Sequence, residues 1–370
     1  MQTGRRLRLL AAAFAAAAVL AGCGGGGGTE GPKTQISRVI VAGDSLADVG
    51  VTGIKFTVQN SADPAGFPVF PQIVASNFGV TSQCNYFTTT AATNAGCTNY
   101  AIGGGRIRGI GAAPDIQDVP TQLAVAAQVN GTYKPTDLLI VDGGGNDAAD
   151  LVGAYLGAGS NPAAYQSVLL RLLTPQEIGT AGSPEAANAL WMQKLADRYY
   201  GAIKTNALDK GATHVAVLDI VDITLTPRFQ QVLAGVTQQA GAARAQQLQG
   251  AIRQWITVFN DRLRSLAGGD ARIAVVPFYA DFQDQVAHPA TYGISNATTP
   301  ACPVTGVSGG LPSYTFTTCT SAALDAAPPT GQSAGWWQSY AFSDSFHPTP
   351  FGHRLLASSV SRALARAGWL

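Results

Sequence analysis

Charged side chains are scarce in this chain: Asp, Glu, Lys and Arg make up 12% of its 370 residues, against about 25% in an ordinary soluble protein. Neither sign dominates, with 23 Lys and Arg facing 22 Asp and Glu. Three of those arginines, Arg5, Arg6 and Arg8, crowd the first ten residues. No basic face is therefore available to a phosphate backbone, and nucleic acid is excluded as an expected partner. A membrane span is lacking too, because the apolar run Leu9 to Ala21 stops short of the roughly 20 residues a spanning helix needs. No C-x-x-C pair with a nearby His completes a zinc set, so no metal is expected. The 43 glycines and 20 prolines follow no period, which excludes a collagen-like chain, and 46% hydrophobic residues exclude wholesale disorder. What remains is a chain long enough to bury a large core.

The basic start followed by Leu9 to Ala21 reads as an export signal over residues 1–22. Leu20-Ala21-Gly22-Cys23 resembles the bacterial lipobox, which would make Cys23 the lipidated first residue of the mature protein and its anchor to a membrane. The competing reading is an ordinary cleaved signal with an incidental cysteine. Gly24 to Gly28 suits a flexible tether, assigned to residues 23–35, before one large domain over 36–370. The expected location is the periplasm or the cell surface, and Gly24 rather than Asp after Cys23 favours the outer membrane. The other cysteines, Cys84, Cys97, Cys302 and Cys319, allow three pairings. Proximity in sequence favours Cys84–Cys97 and Cys302–Cys319, each closing a short loop for about 3 kcal/mol in the chain-entropy model. Such bonds fit an oxidising compartment.

Short apolar runs bounded by turn residues predict strands at Arg38 to Ala42, Asp137 to Val141, His214 to Leu218 and Arg272 to Pro277. Helical periodicity lies at Pro120 to Val129, Pro184 to Ala207, Ala240 to Leu266 and Pro350 to Ala367. Alternating strands and helices imply one domain with a mostly parallel sheet covered on both faces, a three-layer α/β/α architecture. Two long stretches, Thr52 to Thr98 and Tyr279 to Phe342, interrupt the alternation as loop insertions. Their aromatics, Phe67, Phe70, Tyr86, Phe87, Tyr314, Phe316, Trp336 and Trp337, either wall an apolar substrate site or pack the loops onto the body.

Four segments carry candidate chemistry. The first strand runs out into Gly43-Asp44-Ser45-Leu46, where parallel sheets bind ligands. A helix starting there would favour developing negative charge near the Ser45 hydroxyl, although a Ser before a helix is commonly only a cap. Asn99-Tyr100-Ala101-Ile102-Gly103-Gly104-Gly105 offers backbone N–H groups that a ligand can approach closely, or merely a tight turn. Asp142-Gly143-Gly144-Gly145-Asn146-Asp147 supplies an Asn whose amide can donate to an oxyanion, or a helix cap. In Asp344-Ser345-Phe346-His347-Pro348, a carboxylate lies three residues before a His, close enough to hold its ring from the same loop. Of the four histidines, His347 alone has this setting; His214 opens a strand, His288 sits in a loop and His353 in the last helix.

Together, and in this order, the four segments resemble the motif blocks of the GDSL, or SGNH, hydrolase family of lipases and esterases, from the first predicted strand to the last predicted helix. The resemblance implies a flavodoxin-like SGNH-hydrolase fold, no cofactor, and hydrolysis of an acyl-ester small molecule or lipid through an acyl-enzyme. It implies Ser45, Asp344 and His347 as catalytic residues, with an oxyanion hole from the N–H groups of Ser45 and Gly104 and the side chain of Asn146. Asp44, Asp48 and Asp147 are left to capping and loop fixing. A monomer is expected. Two rivals remain: a carbohydrate O-acetylesterase or acyltransferase using the same serine, and a surface lipoprotein that binds lipid or glycan without turnover. Gly306-Val307-Ser308-Gly309-Gly310 fits the G-x-S-x-G elbow of another hydrolase class, but Pro303 before it and Pro312 after it deny the strand and helix that elbow requires.

Overall fold

The computed structural model describes residues 35–88, 96–111 and 115–370. The expected leader, Cys23 and all of the tether but its last residue lie outside the described residues. In chain order the elements are β1 (Arg38–Ala42), α1 (Phe70–Ser76), α2 (Val119–Asn130), β2 (Asp137–Val141), α3 (Gly145–Gly157), α4 (Pro162–Leu169), α5 (Pro175–Thr180) and α6 (Pro184–Asn206). There follow β3 (Val215–Leu218), α7 (Pro227–Ala240), α8 (Ala242–Ala267), β4 (Ile273–Val276), α9 (Phe278–Ala287), β5 (Gly306–Ser308), β6 (Leu311–Ser313), α10 (Ser321–Ala326) and α11 (Pro350–Arg366).

Strands β1 to β4 pair in parallel, in sequence order, with Val39 opposite Leu138, Ile140 opposite Ala216 and Val217 opposite Val275. Side chains alternate between faces along a strand, and both sets here are apolar. Val39, Val41, Leu138, Ile140 and Leu218 meet Phe70 and Val74 of α1 and Leu356, Val360 and Leu364 of α11. Ile40, Leu139, Val141 and Val217 meet Leu123 of α2, Leu195 and Tyr199 of α6 and Phe259 of α8 on the other side. Right-handed crossovers between neighbouring parallel strands in simple order put their helices on one face. The opposite face is left to α1 and α11, and the result is the expected three-layer α/β/α fold.

One detail of topology decides where a site can form. On the edge of β1 away from β2, the Val41 N–H donates to the Thr98 carbonyl (2.9 Å) and the Tyr100 N–H to the Val41 carbonyl (2.7 Å). The chain therefore leaves β1 past α1 on one face, returns beside β1, then crosses by α2 on the other face to β2. The winding reverses at the carboxyl end of β1, and such switch points open the crevice where α/β sheets bind ligands.

The two insertions are joined. Gln59 donates to the Cys319 carbonyl and accepts from the Ser321 N–H, both at 2.8 Å. Val58, Phe316, Leu324, Trp337 and Tyr340 form a separate apolar cluster around them. Cys84 is bonded to Cys97 and Cys302 to Cys319. Neither insertion is the structureless loop expected: the first carries α1, and the second α9, the β5–β6 hairpin and α10. In that hairpin Gly309 and Gly310 take φ of 57° and 79°, the left-handed pair that a two-residue turn demands. Ser308 is exposed on it, with no elbow around it.

Candidate active site

Ser45 sits in a single turn just past β1, in which the Ala47 and Asp48 N–H groups both return to the Asp44 carbonyl (3.1 and 3.0 Å). No helix starts here; the next is α1. The negative charge that a helix dipole was expected to favour must instead be met by single N–H groups of this turn. Among the described residues, no acceptor takes the N–H of Ser45 or that of Gly104.

His347 arrives from the other end of the chain on a tight loop between Phe342 and α11. That loop is closed by the Ser343 N–H on the His347 carbonyl (2.8 Å) and the Ser343 hydroxyl on the Pro348 carbonyl (2.9 Å). Thr349 then caps α11 through the Gly352 N–H (3.1 Å), with Pro350 at the first helical position. Asp344 Oδ1 accepts the N–H groups of Phe346 (2.7 Å) and His347 (2.6 Å), and Oδ2 lies 2.8 Å from His347 Nδ1. On its far side, His347 Nε2 lies 2.9 Å from Ser45 Oγ. A carboxylate can only accept, so Nδ1 carries the proton and the lone pair of Nε2 faces the serine hydroxyl.

The electrostatics match this geometry. Burial alone would raise the pKa of Asp344, but the nearby imidazole and its hydrogen bonds hold it below the usual value. Burial alone would lower the pKa of His347, but the charge and hydrogen bond of Asp344, with the charge of Asp44, hold it above 6.5. Phe56 lies 5.2 Å from the imidazole, tilted by 32°, while Phe316 meets it nearly edge-on at 5.6 Å. Both phenylalanines come from the joined insertions, which thus wall the imidazole.

The glycine segment closes on the same point. Gly104 has φ of 77°, and a Cβ on Gly105 would stand 2.7 Å from the Gly43 carbonyl oxygen and 3.0 Å from Asp44 Cα. Only glycine lets this backbone lie against the nucleophile turn. Asn146, at the start of α3, donates from Nδ2 to the Gly105 carbonyl (3.0 Å) and more distantly to Asp44 Oδ2 (3.4 Å). Asp48 ties the two segments together, accepting from Gly50 and Val51 (2.8 Å each) and from Gly103 (2.9 Å). Asp147 accepts the N–H groups of Ile107 and Arg108 (2.9 and 2.8 Å), and burial pushes its pKa up to about 7. Asp44 accepts from Leu46 (3.0 Å), and burial raises its pKa and that of its neighbour Asp142.

All the residues singled out in the four segments thus meet at the carboxyl ends of β1 and β2. The aromatics fare differently. Phe316 reaches the site, but Phe70 lies in the core under α1, and Tyr86 stacks on Tyr100 at 5.0 Å. Phe87 packs edge-on to Tyr100, and Phe67 lies against Trp337 at 5.8 Å. A chamber of about 40 Å³ at Ser45 and His347 is lined instead by Ile220 and Val221, Phe278 and Phe346. Ile220 and Val221 follow β3 and Phe278 follows β4, so the rule that parallel sheets bind at their carboxyl ends pointed to them.

No curated protein matches the chain. The family model of the GDSL-like lipase/acylhydrolases matches residues 39–360, which takes in β1, the nucleophile turn, the glycine and asparagine segments, the His347 loop and most of α11. The chain belongs to the GDSL-like lipase/acylhydrolase family, and is a hydrolase of the esterase/lipase type.

Proposed function

We propose that this protein hydrolyses carboxylic esters through an acyl-enzyme formed on Ser45. The observation that carries the reading is the unbroken chain of hydrogen bonds from Ser45 Oγ to His347 Nε2 (2.9 Å) and from His347 Nδ1 to Asp344 (2.8 Å). As Ser45 Oγ bonds to the ester carbonyl carbon, its proton passes to Nε2, and Asp344 stabilises the imidazolium. The carbonyl oxygen becomes an oxyanion, met by the Ser45 and Gly104 N–H groups and by the Asn146 amide. Collapse breaks the bond to the alkoxy oxygen, which leaves with the proton from Nε2. Water then attacks the acyl-enzyme, gives its proton to His347, and the second collapse returns that proton to Ser45 Oγ and frees the carboxylic acid. The scheme draws on no cofactor.

The leader belongs to the same reading. Residues 1–22 direct export, Cys23 carries the lipid that tethers the domain of residues 36–370, and the protein faces the periplasm or the cell surface. The two disulfides support an oxidising compartment. Side-by-side rates on acylglycerols, phospholipids and acetylated glycans test the substrate class. Acyl release from the first two is expected to exceed deacetylation of glycans, and the reverse order would make the protein an O-acetylesterase.

A further inference from the structure

Beside the chamber at Ser45 lies a second one of about 50 Å³. The two share Leu46, Val221, Thr226, Phe278 and Phe346, so they run into each other. The second chamber continues between α9 and α11, walled by Phe282, Val286 and Ile294 on one side and Leu355 and Leu356 on the other. Among the described residues that line it none is charged. The Thr226 hydroxyl is already spent on the Ile223 carbonyl (2.7 Å), which leaves the Gln285 amide as the one other polar side chain of the wall. A sugar or a charged headgroup would lose its water there with almost nothing to replace it. Hydrocarbon would not.

Which end of the ester enters follows from the two half-reactions. The alcohol leaves after the first and its place is taken by water, so its side must open to solvent. The acyl group stays bonded to Ser45 until the second, beside Leu46, and an apolar chamber suits its hydrocarbon. We infer that this second chamber is the acyl site and takes a short hydrocarbon chain. Its volume of about 50 Å³ is a few times the roughly 10–15 Å³ that one water requires, room for a short chain and not for a long one. An acetyl group would leave it empty, and a long fatty acyl chain would outrun it.

The inference rests on Ser45 as the nucleophile, and the test separates the two. Values of kcat/KM are measured for p-nitrophenyl acetate, butyrate, hexanoate and dodecanoate, alongside labelling by a fluorophosphonate. Butyrate or hexanoate is expected to exceed acetate at least tenfold, with a fall at dodecanoate. Val286 and Leu355 are only half-buried, so Val286→Phe and Leu355→Phe fill the chamber from opposite walls with little risk to the fold. Each should lower the hexanoate-to-acetate ratio at least tenfold, and Val286→Ala should move the optimum to longer chains. A ratio unchanged in both filled variants, each still labelled to completion, would overturn the acyl site and leave Ser45 standing. A native protein that neither takes the label nor hydrolyses any ester would overturn both.

Discussion

Ser45→Ala should lower kcat for p-nitrophenyl butyrate about a million-fold, the loss seen when a triad nucleophile is removed. Nothing else at the site can replace the lost oxygen. Among the described residues, the only hydroxyl hydrogen-bonded to His347 Nε2 is that of Ser45. Of the two serines in the His347 loop, Ser343 is committed to the Pro348 carbonyl (2.9 Å) and to the Val58 N–H (3.1 Å). The fold should hardly notice the change. The side chain makes one hydrogen bond and ends in a solvent-reached chamber, so the melting temperature should stay within about 3 °C of the native protein's. Initial rates and a thermal melt on the same sample check both halves. A large drop in melting temperature would mean that the rate reports unfolding and not chemistry.

The second large effect is expected from Asp344→Asn, at about 10⁴-fold in kcat, and the local hydrogen bonds say why. Two backbone N–H groups, of Phe346 and His347, point at one oxygen of Asp344 from 2.7 and 2.6 Å. An asparagine must keep its carbonyl oxygen on them, which turns its NH₂ toward Nδ1. Nδ1 then has to accept, the proton moves to Nε2, and the base presents N–H to the serine it should deprotonate. A pH profile separates this from simple misfolding. His347 must be neutral to act, so kcat/KM rises with pH through its pKa. In the native protein that midpoint should lie above 6.5, because Asp344 and Asp44 outweigh the effect of burial. With the Asp344 charge gone, burial is less opposed and the midpoint should move to lower pH. An unmoved midpoint would mean that Asp344 does not face the working base.

How much of this was legible in the sequence depends on how local each signal is. Strands β1 and β2 begin and end where predicted, because each is a run of four buried apolar residues opened by a charged one, Arg38 or Asp137, and followed by a turn. The long helices α6 and α11 were read to within a residue, since a stripe at helical spacing has many turns over which to repeat. The short helices α4 and α5 were missed. Each is announced by a cap followed by proline, Asn161-Pro162 and Thr174-Pro175, the second with Glu177 completing a capping box, signatures of helix starts that offer no periodicity beyond them. The core of the site was legible for a chemical reason: a nucleophile, its base and the carboxylate on that base admit few residue types. Their meeting across a sequence separation of 302 is a property of the fold. Phe56 was invisible because its role exists only once the two insertions pair at Gln59 and Cys319. A helix after Ser45 does not develop beyond one turn, because the Gly50 and Val51 N–H groups that would continue it go to the Asp48 carboxylate.

The central claim is that Ser45 is the nucleophile, and a fluorophosphonate tests it most directly, because it reacts with the serine that an adjacent base activates. The native protein is labelled to completion, digested, and mapped by peptide mass. One phosphonyl group per chain is expected, on Ser45, with loss of esterase activity in step with labelling. An adduct on another residue, such as Ser308 in the β5–β6 hairpin, or a fully active protein that carries none, would contradict it.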